Sequence, residues 1–552
     1  MRRIIVAKNN TNYYCIIVIV VTCVQAIWMM TWQSHELQVI FQQTNSKPKN
    51  VVANKEPNNT TTSTLKQTLL TTNTKPDNQE PNNTTTNTLK QTPSSIQDNQ
   101  ETPNTSTTTN SEKEKLNVLL LYADDWRFDT LGVAGNPIVQ TPVLDQLAQT
   151  EGMRFTENCV TTSVCWCSRA TLWTGLYTAR HKTYRPRDID GFSWNETIYS
   201  LFQQKYHVGH VGKWGVWHNY GSTLPYNMPA EGWHKRQMGS TEIHITEKNT
   251  ADSLRFLKER PSQQPFFLVT SYFATHAVDG DKRQYLPMNS SSQLYNTTTI
   301  PMPRTNTEQH WQDLPRPVFS HRNEGRIRYN WRFNTPTKHQ QMMKNYYRMA
   351  TEVDTSIGLL LQELKNQGIY NQTLIVFTTD NGNFHSEHGL ADKWYPHQES
   401  IKVPLIIVDP RMPPHKKGTT SNALTLNIDL APTLLSAAGI QPLPHMMGRD
   451  ISQLYLSSNT TTTWRDDFFY EHPVHRSKES IPASEALVTK DYKYILWPDY
   501  NIEQLFHLPS DPYEETDLIK HPQHAHILSE KLKPRFQHLK HMIQNTNENL
   551  SL

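Results

Sequence analysis

Two short apolar runs, each followed by an acidic pair, constrain the fold of this chain most. Residues 116–122 form the first run, which ends in Ala123-Asp124-Asp125, and residues 374–377 form the second, which leads into Asp380-Asn381-Gly382. Near-continuous apolar runs of this length, the first broken only by Asn117, are typical of strands buried on both faces of a parallel sheet. The runs therefore predict an open α/β sheet.

The acidic pairs predict a metal site. Open α/β sheets place ligands beyond the carboxyl ends of their strands, so Asp124 and Asp125 can converge with Asp380 and Asn381. Ligation by three carboxylates and an amide, all through oxygen, suits a hard cation such as Ca²⁺ better than Zn²⁺. The alternative is that both pairs simply begin turns, since Asp and Asn are common turn residues.

Residues 164–175, Val-Cys-Trp-Cys-Ser-Arg-Ala-Thr-Leu-Trp-Thr-Gly, resemble the signature of type I sulfatases. Further blocks at residues 122–132, 141–148, 380–393 and 427–439 resemble that family in the same order, and the resemblance extends from about residue 116 to about residue 532. It implies the alkaline-phosphatase-like fold: a mixed, largely parallel sheet sandwiched by helices, with a smaller C-terminal α+β subdomain. It also implies that a formylglycine-generating enzyme oxidises Cys165 to formylglycine, whose hydrated aldehyde is the nucleophile.

The resemblance assigns roles residue by residue. Asp124, Asp125, Asp380 and Asn381 would hold Ca²⁺ together with the oxygen at position 165. Arg169 would hold the formylglycine hydroxyl, Lys213 and Lys393 would contact sulfate, and His276 would lie near the leaving-group oxygen. Taken alone, a single Lys or His is usually a solvated surface group, so the assignment depends on order and spacing together.

The chain departs from the family pattern at two positions. Cys167 stands where the family usually has Pro or Ala, and Gly215 stands where it commonly has a His that supports the nucleophile. We expect His218, three residues later, to replace that histidine. If Cys165 is converted, Cys159 and Cys167 remain as a disulfide pair or as free thiols, and the sequence does not decide between the two.

The combined pattern predicts a sulfuric ester hydrolase that removes sulfate from a carbohydrate or glycan. One alternative is a phosphodiesterase or phosphatase of the same superfamily, which would ordinarily have Thr or Ser as nucleophile and ligands for a second metal. The other is a catalytically silent, membrane-tethered glycan-binding protein, which the two departures would favour. The net charge of +3 gives no support for nucleic-acid binding.

The N-terminal region predicts entry into the secretory pathway. Residues 1–12 carry Arg2, Arg3 and Lys8 and would form a cytoplasmic tail, and residues 13–32 are largely apolar and long enough to span a bilayer as a signal-anchor. A cleaved signal peptide is the alternative. We therefore expect a single-pass type II membrane protein of the Golgi or cell surface, or a secreted protein.

Composition predicts the remaining boundaries. Residues 33–114 are rich in Thr and Asn, repeat one polar block nearly verbatim, and would form a disordered, glycosylated stalk. Residues 115–445 would form the catalytic domain and residues 446–552 the C-terminal subdomain. Within the catalytic domain, the long region 287–341 is rich in Arg, Asn, Pro and aromatic residues, which suits either the rim of an anionic-glycan pocket or a solvated insertion.

Overall fold

The computed structural model describes residues 115–188, 191–216, 222–457 and 463–545. The predicted tail, membrane anchor and stalk all lie outside these residues. Within them, no helix combines the length and the apolar character needed to cross a membrane. The described residues belong to one compact unit, so the boundary at residue 445 stays a prediction.

The strands of the described residues are β1 (Asn117–Ala123), β2 (Met153–Phe155), β3 (Asn158–Cys159), β4 (His207–Gly212), β5 (Tyr226–Pro229), β6 (Lys235–Met238), β7 (Thr241–His244), β8 (Phe266–Ser271), β9 (Thr373–Thr379), β10 (Phe384–His385), β11 (Ala391–Asp392), β12 (Leu405–Val408), β13 (Thr419–Ser421), β14 (Thr425–Leu426), β15 (Asp467–His472), β16 (Ser484–Thr489), β17 (Tyr492–Trp497) and β18 (Ile502–His507). The α-helices are α1 (Pro142–Gln146), α2 (Cys165–Thr174), α3 (Thr178–His181), α4 (Ile198–Gln203), α5 (Ile245–Glu259), α6 (Glu308–Gln312), α7 (Glu324–Arg332), α8 (Pro336–Asn366), α9 (Gln398–Ile401), α10 (Leu430–Ala437), α11 (Ser452–Tyr455), α12 (Ala525–Ile527) and α13 (Lys533–Gln544). Short 3₁₀ and π turns connect several of them.

An eight-stranded mixed sheet forms the centre, in the order β13-β2-β12-β9-β1-β8-β4-β5. Strand β1 pairs in parallel with β9 on one side and β8 on the other, and β4 and β5 continue the parallel part. Only β12 runs antiparallel to its neighbours β9 and β2. The predicted fold class, a mixed and largely parallel sheet, is confirmed.

The sheet is covered on both faces, which explains why its central strands β1, β8, β9 and β12 are largely apolar. Along β1, Leu119 and Leu121 face a core that includes residues of α5 and α8, whereas Val118 and Leu120 face a core that includes residues of α2, α4 and α10. Each fully buried residue of this kind contributes about 1.5–3 kcal/mol to the free energy of unfolding. The apolar pattern therefore specifies a sheet with helices on both sides.

The C-terminal part forms a second sheet, with the antiparallel order β15-β16-β17-β18. Helix α13 packs on it through Phe536, Leu539 and Ile543. The predicted strand at residues 492–497 is β17, and the predicted turn, helix and glycine stop at residues 427–439 are a 3₁₀ turn, α10 and Gly439. The smaller α+β part predicted near the C-terminus is thus present.

Candidate active site

The two acidic pairs meet at one edge of the central sheet. Asp124 and Asp125 follow β1, Asp380 and Asn381 follow β9, and the two strands are neighbours that run in parallel. The backbone N–H of Asp125 lies 3.3 Å from Asp380 Oδ1, and Asn381 Nδ2 donates to Asp125 Oδ1 at 2.7 Å. All four side chains are buried. The predicted convergence at the strand ends is therefore present, and the residues do more than begin turns.

A cluster of candidate metal ligands forms at this edge. One ligand atom from each of Asp124, Asp125, Cys165 and His276 lies within 4.8 Å of the others, and Cys165 Sγ donates to Asp124 Oδ1 at 3.5 Å. Two buried oxygens, Asp125 Oδ2 and Asn381 Oδ1, have no hydrogen-bond partner in the described part of the chain. Buried acceptors without partners are costly, so the oxygens of Asp125 and Asn381 fit an oxygen-preferring cation, whereas the sulfur of Cys165 and the ring nitrogen of His276 are not ligands of that kind.

Cys165 is the first residue of α2, which places it at the positive end of that helix. Burial raises the pKa of the Cys165 thiol well above its usual value, despite the nearby charges of Lys213 and Lys393. An unmodified thiol at this position is therefore neutral near pH 7 and a weak nucleophile.

Two lysines flank the carboxylates. Lys213, just after β4, contacts Asp124 Oδ2, and Lys393, just after β11, donates to Asp125 Oδ1 at 2.5 Å. Burial alone would lower the pKa of the Lys213 amine, but Asp124 and the other nearby acidic groups outweigh it and hold that pKa above its usual value. Both lysines thus supply fixed positive charge beside Cys165.

Arg169 contacts Asp380. Its Nε donates to Asp380 Oδ2 at 2.9 Å, and its Nη1 donates to Ser271 Oγ at 2.6 Å and to the Lys213 carbonyl at 3.0 Å. Burial alone would raise the pKa of Asp380, but Arg169, followed by the two lysines, holds it below its usual range. The arginine therefore keeps a metal-ligand candidate ionised.

Gly215 makes room for that arginine. Its backbone φ is +76°, and a Cβ at this position would lie 2.4 Å from Arg169 Cδ. A histidine at position 215, as in the family pattern, is incompatible with this placement of Arg169. The proposed substitute, His218, lies outside the described residues.

His276 reaches the ligand cluster from the loop after β8. Its Nδ1 lies 2.5 Å from the Ala277 carbonyl, which can only accept, so the proton is assigned to Nδ1. Its Nε2 lies 3.6 Å from Asp125 Oδ2. Burial, followed by the charges of Lys393 and Lys213, lowers the pKa of His276 well below its usual value.

The two other cysteines in the described part of the chain are free. Cys159 and Cys167 are both buried and unpaired, and Cys167 Sγ donates to the Thr183 carbonyl at 3.1 Å. Of the two possibilities left open by the sequence, free thiols are therefore correct for this structure.

Sequence reasoning missed several residues around Cys165. A cavity of about 110 Å³ contains Cys165, His276 and Lys393, and it is also lined by Trp166, Asp279, Arg328, Asp392, Trp394, His475 and Arg476. The one sequence feature that pointed to these residues was the arginine-rich region 287–341. Its Arg328 and Arg332 are one helical turn apart on α7. Both arginine side chains are buried, so this part of the region is not a solvated insertion.

A larger cavity, of about 830 Å³, lies elsewhere, between the loop at residues 127–138 and residues 488–513. None of the predicted site residues lines it. The smaller cavity is the candidate active site because it contains Cys165, His276 and Lys393.

Comparison with known proteins gives a consistent result. A family model described as sulfatase matches residues 116–440, and one described as the C-terminal part of N-sulphoglucosamine sulphohydrolase matches residues 386–542. An arylsulfatase of Clostridium perfringens is 28% identical over 78% of this chain and 94% of its own length. An N-acetylglucosamine-6-O-sulfatase of Bacteroides thetaiotaomicron is 25% identical over 75% of this chain and 84% of its own length.

Solved structures share the fold. One, described as a complex with its substrate D-glucosamine-2-N,6-O-disulfate, has a TM-score of 0.65 at 21% identity, covering 79% of this chain and 99% of its own. A phosphonate monoester hydrolase of Agrobacterium radiobacter has a TM-score of 0.64 at 22% identity, covering 78% and 96%. Since one fold can carry both chemistries, the fold alone does not distinguish sulfate from phosphonate esters.

Proposed function

This chain belongs to the sulfatase family and is a sulfuric ester hydrolase, and from that premise we propose that it removes sulfate from a sulfated glycan, using formylglycine at position 165 and Ca²⁺. The observation that carries the proposal is the convergence of Cys165, the carboxylates of Asp124 and Asp125, and the amines of Lys213 and Lys393 at the strand ends. The similarity to an N-acetylglucosamine-6-O-sulfatase supports the glycan as substrate class.

The residues present fit the proposed cation. Asp124, Asp125, Asp380 and Asn381 would hold it, and the two unpartnered oxygens, Asp125 Oδ2 and Asn381 Oδ1, would gain the partner that each lacks. When bound, Ca²⁺ would neutralise sulfate charge and orient the oxygen at position 165. Arg169 holds Asp380 ionised and in place for this purpose.

The same residues fit the proposed modification. Formylglycine would supply a hydrated aldehyde where the poorly ionised Cys165 thiol now lies, beside Asp124. Lys213 and Lys393 would exchange their carboxylate contacts for the sulfate oxygens. His276, near the leaving-group oxygen, would first have to take up a proton at Nε2, because its own proton lies on Nδ1. Lys393, whose amine is already protonated, is the second candidate donor to the departing alcohol oxygen. Such a proton donor accelerates the reaction by about 10²- to 10⁴-fold.

The test combines mass spectrometry with a sulfate-release assay. Protein from cells that contain the formylglycine-generating enzyme should show formylglycine in the peptide with Cys165 and release sulfate from sulfated sugars in the presence of calcium. The Cys165→Ser variant should take up sulfate and then stall, because serine lacks the second hydroxyl needed to expel it. Full turnover by that variant would contradict the proposed nucleophile.

The same assay separates the alternatives. A silent glycan-binding protein would keep the thiol and release no sulfate from any compound. A phosphatase or phosphodiesterase would hydrolyse phosphate or phosphonate esters faster than sulfate esters. We favour the sulfatase because the matching family model and the named relatives are sulfatases. Gly215, one feature behind the silent alternative, is explained by the space that Arg169 occupies.

The proposal extends to the location of the protein. Residues 1–12, 13–32 and 33–114 would form a cytoplasmic tail, a signal-anchor and a glycosylated stalk that place the catalytic domain in the lumen or outside the cell. Support comes from composition and from the lumenal site of formylglycine formation. Protease protection of the catalytic domain in intact microsomes would test it, and digestion there without detergent would contradict it.

A further inference from the structure

A second group of charged residues lines the cavity that contains Cys165. Asp279 follows His276 by three residues, and Arg328 belongs to α7; both line the cavity with Cys165, His276 and Lys393. With a volume of about 110 Å³ the cavity holds one end of a substrate. Typical pockets for whole ligands are about 300–1,000 Å³. Atoms next to a sulfate at Cys165 therefore face Asp279 and Arg328.

Two arginines fix the carboxylate of Asp279. Arg328 Nη1 forms an ion pair with Asp279 Oδ1, and Arg332 Nη2 lies 3.1 Å from the same oxygen. Both arginine side chains are buried, whereas 46% of the Asp279 side chain is exposed. Because both contacts use Oδ1, the other oxygen, Oδ2, is outside these ion pairs.

Arg328 is itself held by further contacts. Its Nε donates to Glu324 Oε1 at 2.8 Å, and its guanidinium lies 4.5 Å from the ring centre of Trp331. Arg332 Nη1 lies 2.8 Å from Asp392 Oδ1, next to Lys393 in sequence. The contacts described for Arg328 leave its Nη2 as a hydrogen-bond donor. The cavity wall thus combines a fixed acceptor with a fixed donor.

This combination fits neutral hydroxyl groups better than a second anion. The carboxylate of Asp279 would repel a second sulfate or a carboxylate, and the arginines beside it are already paired with Glu324 and Asp392. A hydroxyl both donates and accepts, so two adjacent hydroxyls match the pair. Trp166 and Trp394 line the same cavity and offer apolar ring surfaces to the C–H groups of a sugar.

We propose that Asp279 and Arg328 form a hydroxyl clamp that binds two neighbouring hydroxyls of the sugar ring that carries the sulfate. The inference rests on the proposed function and adds to it the source of substrate specificity. The clamp selects a sulfated carbohydrate with free hydroxyls beside the ester over a sulfated aryl alcohol, which has none.

The test compares two substrates in the full-length, converted enzyme. The variants Asp279→Asn and Arg328→Lys are assayed with p-nitrophenyl sulfate and with the sulfated monosaccharide that the wild type cleaves fastest among sulfates of glucosamine, galactosamine and glucose. We expect kcat/KM for the sugar to fall by at least about tenfold, as for lost hydrogen bonds to a charged group, and for the aryl sulfate by less than about threefold. Asp281→Asn is the matched control, because Asp281 pairs with Arg283 and does not line the cavity.

Monodeoxy analogues of that sugar make the test independent of variant folding. The wild type should cleave at least one analogue at least about tenfold more slowly than the parent sugar, and the Asp279→Asn variant should lose that discrimination. Equal cleavage of every analogue by the wild type, or equal losses on both substrates in the variants, would overturn the clamp. A wild type that cleaves no sulfate ester at all would overturn the proposed function, and the clamp with it.

Discussion

The contact between Arg169 and Gly215 shows how one absent side chain shapes the site. Arg169 reaches Asp380, Ser271 and the Lys213 carbonyl, and its Cδ occupies the space where a side chain at 215 would begin. Departure from the family pattern at 215 is thus matched by a specific arrangement of the arginine. Sequence comparison alone would interpret the glycine as a lost catalytic group.

We predict that restoring the family residue lowers activity. In Gly215→His and Gly215→Ala, the new Cβ displaces Arg169 from Asp380, and the positive φ adds about 1–2 kcal/mol of strain. We expect kcat/KM for sulfate release to fall by at least about tenfold. The control is Gly239→Ala, where φ is +64° but no atom lies within 4 Å of the new Cβ. A histidine variant more active than the wild type would refute this interpretation of Gly215.

At the scale of elements, helix α7 and the β10–β11 hairpin form one unit. Arg332 on α7 lies 2.8 Å from Asp392 at the end of β11, and the next residue, Lys393, contacts Asp125. The helix therefore positions Lys393, one of the two lysines proposed to bind sulfate. Removing Arg332 would leave the buried Asp392 short of one cationic partner, which is costly.

The long helix α8 carries a buried acid that makes stability depend on pH. Glu352 accepts hydrogen bonds from Ser291 and from the Met288 backbone, and its Oε2 lies 3.9 Å from His244 Nε2. Burial raises the pKa of Glu352 to about 8. His244, whose pKa burial lowers to about 4, is neutral there and does not compensate a negative charge.

We predict that stability falls as pH rises from about 5 to about 8. In this range the unfolded state loses the Glu352 proton and the folded state keeps it, so the contribution of Glu352 is full below pH 4.5 and lost above about pH 8. Glu352→Gln imitates the protonated acid. In this variant the free energy of unfolding should no longer show the part of its decline with pH, up to a few kcal/mol, that Glu352 causes. Chemical denaturation at several pH values measures this. Glu363→Gln on the same helix is the control, and parallel pH curves for wild type and Glu352→Gln would contradict the prediction.

For the whole molecule, the sequence predicted the buried strands and the acidic residues at their ends, because these depend on strand order. It did not predict contacts such as that between Arg169 and Asp380, because these depend on side-chain packing between distant parts of the chain. The apolar runs specified buried parallel strands, and neighbouring strand ends then brought Asp124 and Asp380 together. By contrast, Arg169 and Asp380 are 211 residues apart, and their pairing depends on Gly215 and Ser271 in other strands and loops. The proposed role of Asp279 likewise depends on its contacts with Arg328 and Arg332, which only the position of α7 in the structure shows. Roles assigned by resemblance to single residues stay predictions.

Calcium should stabilise the whole described unit because its proposed ligands come from both β1 and β9. At about 100 times the Kd, a ligand that binds only the folded state adds about 2.7 kcal/mol to the free energy of unfolding. We predict that EDTA lowers both Tm and sulfate release and that calcium restores both. Asn381→Ala should show a smaller calcium-dependent shift in Tm, since it removes one oxygen ligand. An unchanged shift in that variant would exclude Asn381 from the site.

The contact between Arg332 and Asp392 has a practical consequence for redesign. Helix α7 carries Arg328 of the hydroxyl clamp and, through Arg332 and Asp392, holds Lys393 beside position 165. Large changes to this helix that alter substrate selectivity would therefore also lower turnover. Libraries aimed at new sulfated compounds should therefore keep Arg332 and Asp392 invariant and diversify Trp166 and the exposed Arg476, which border the cavity but do not hold that lysine.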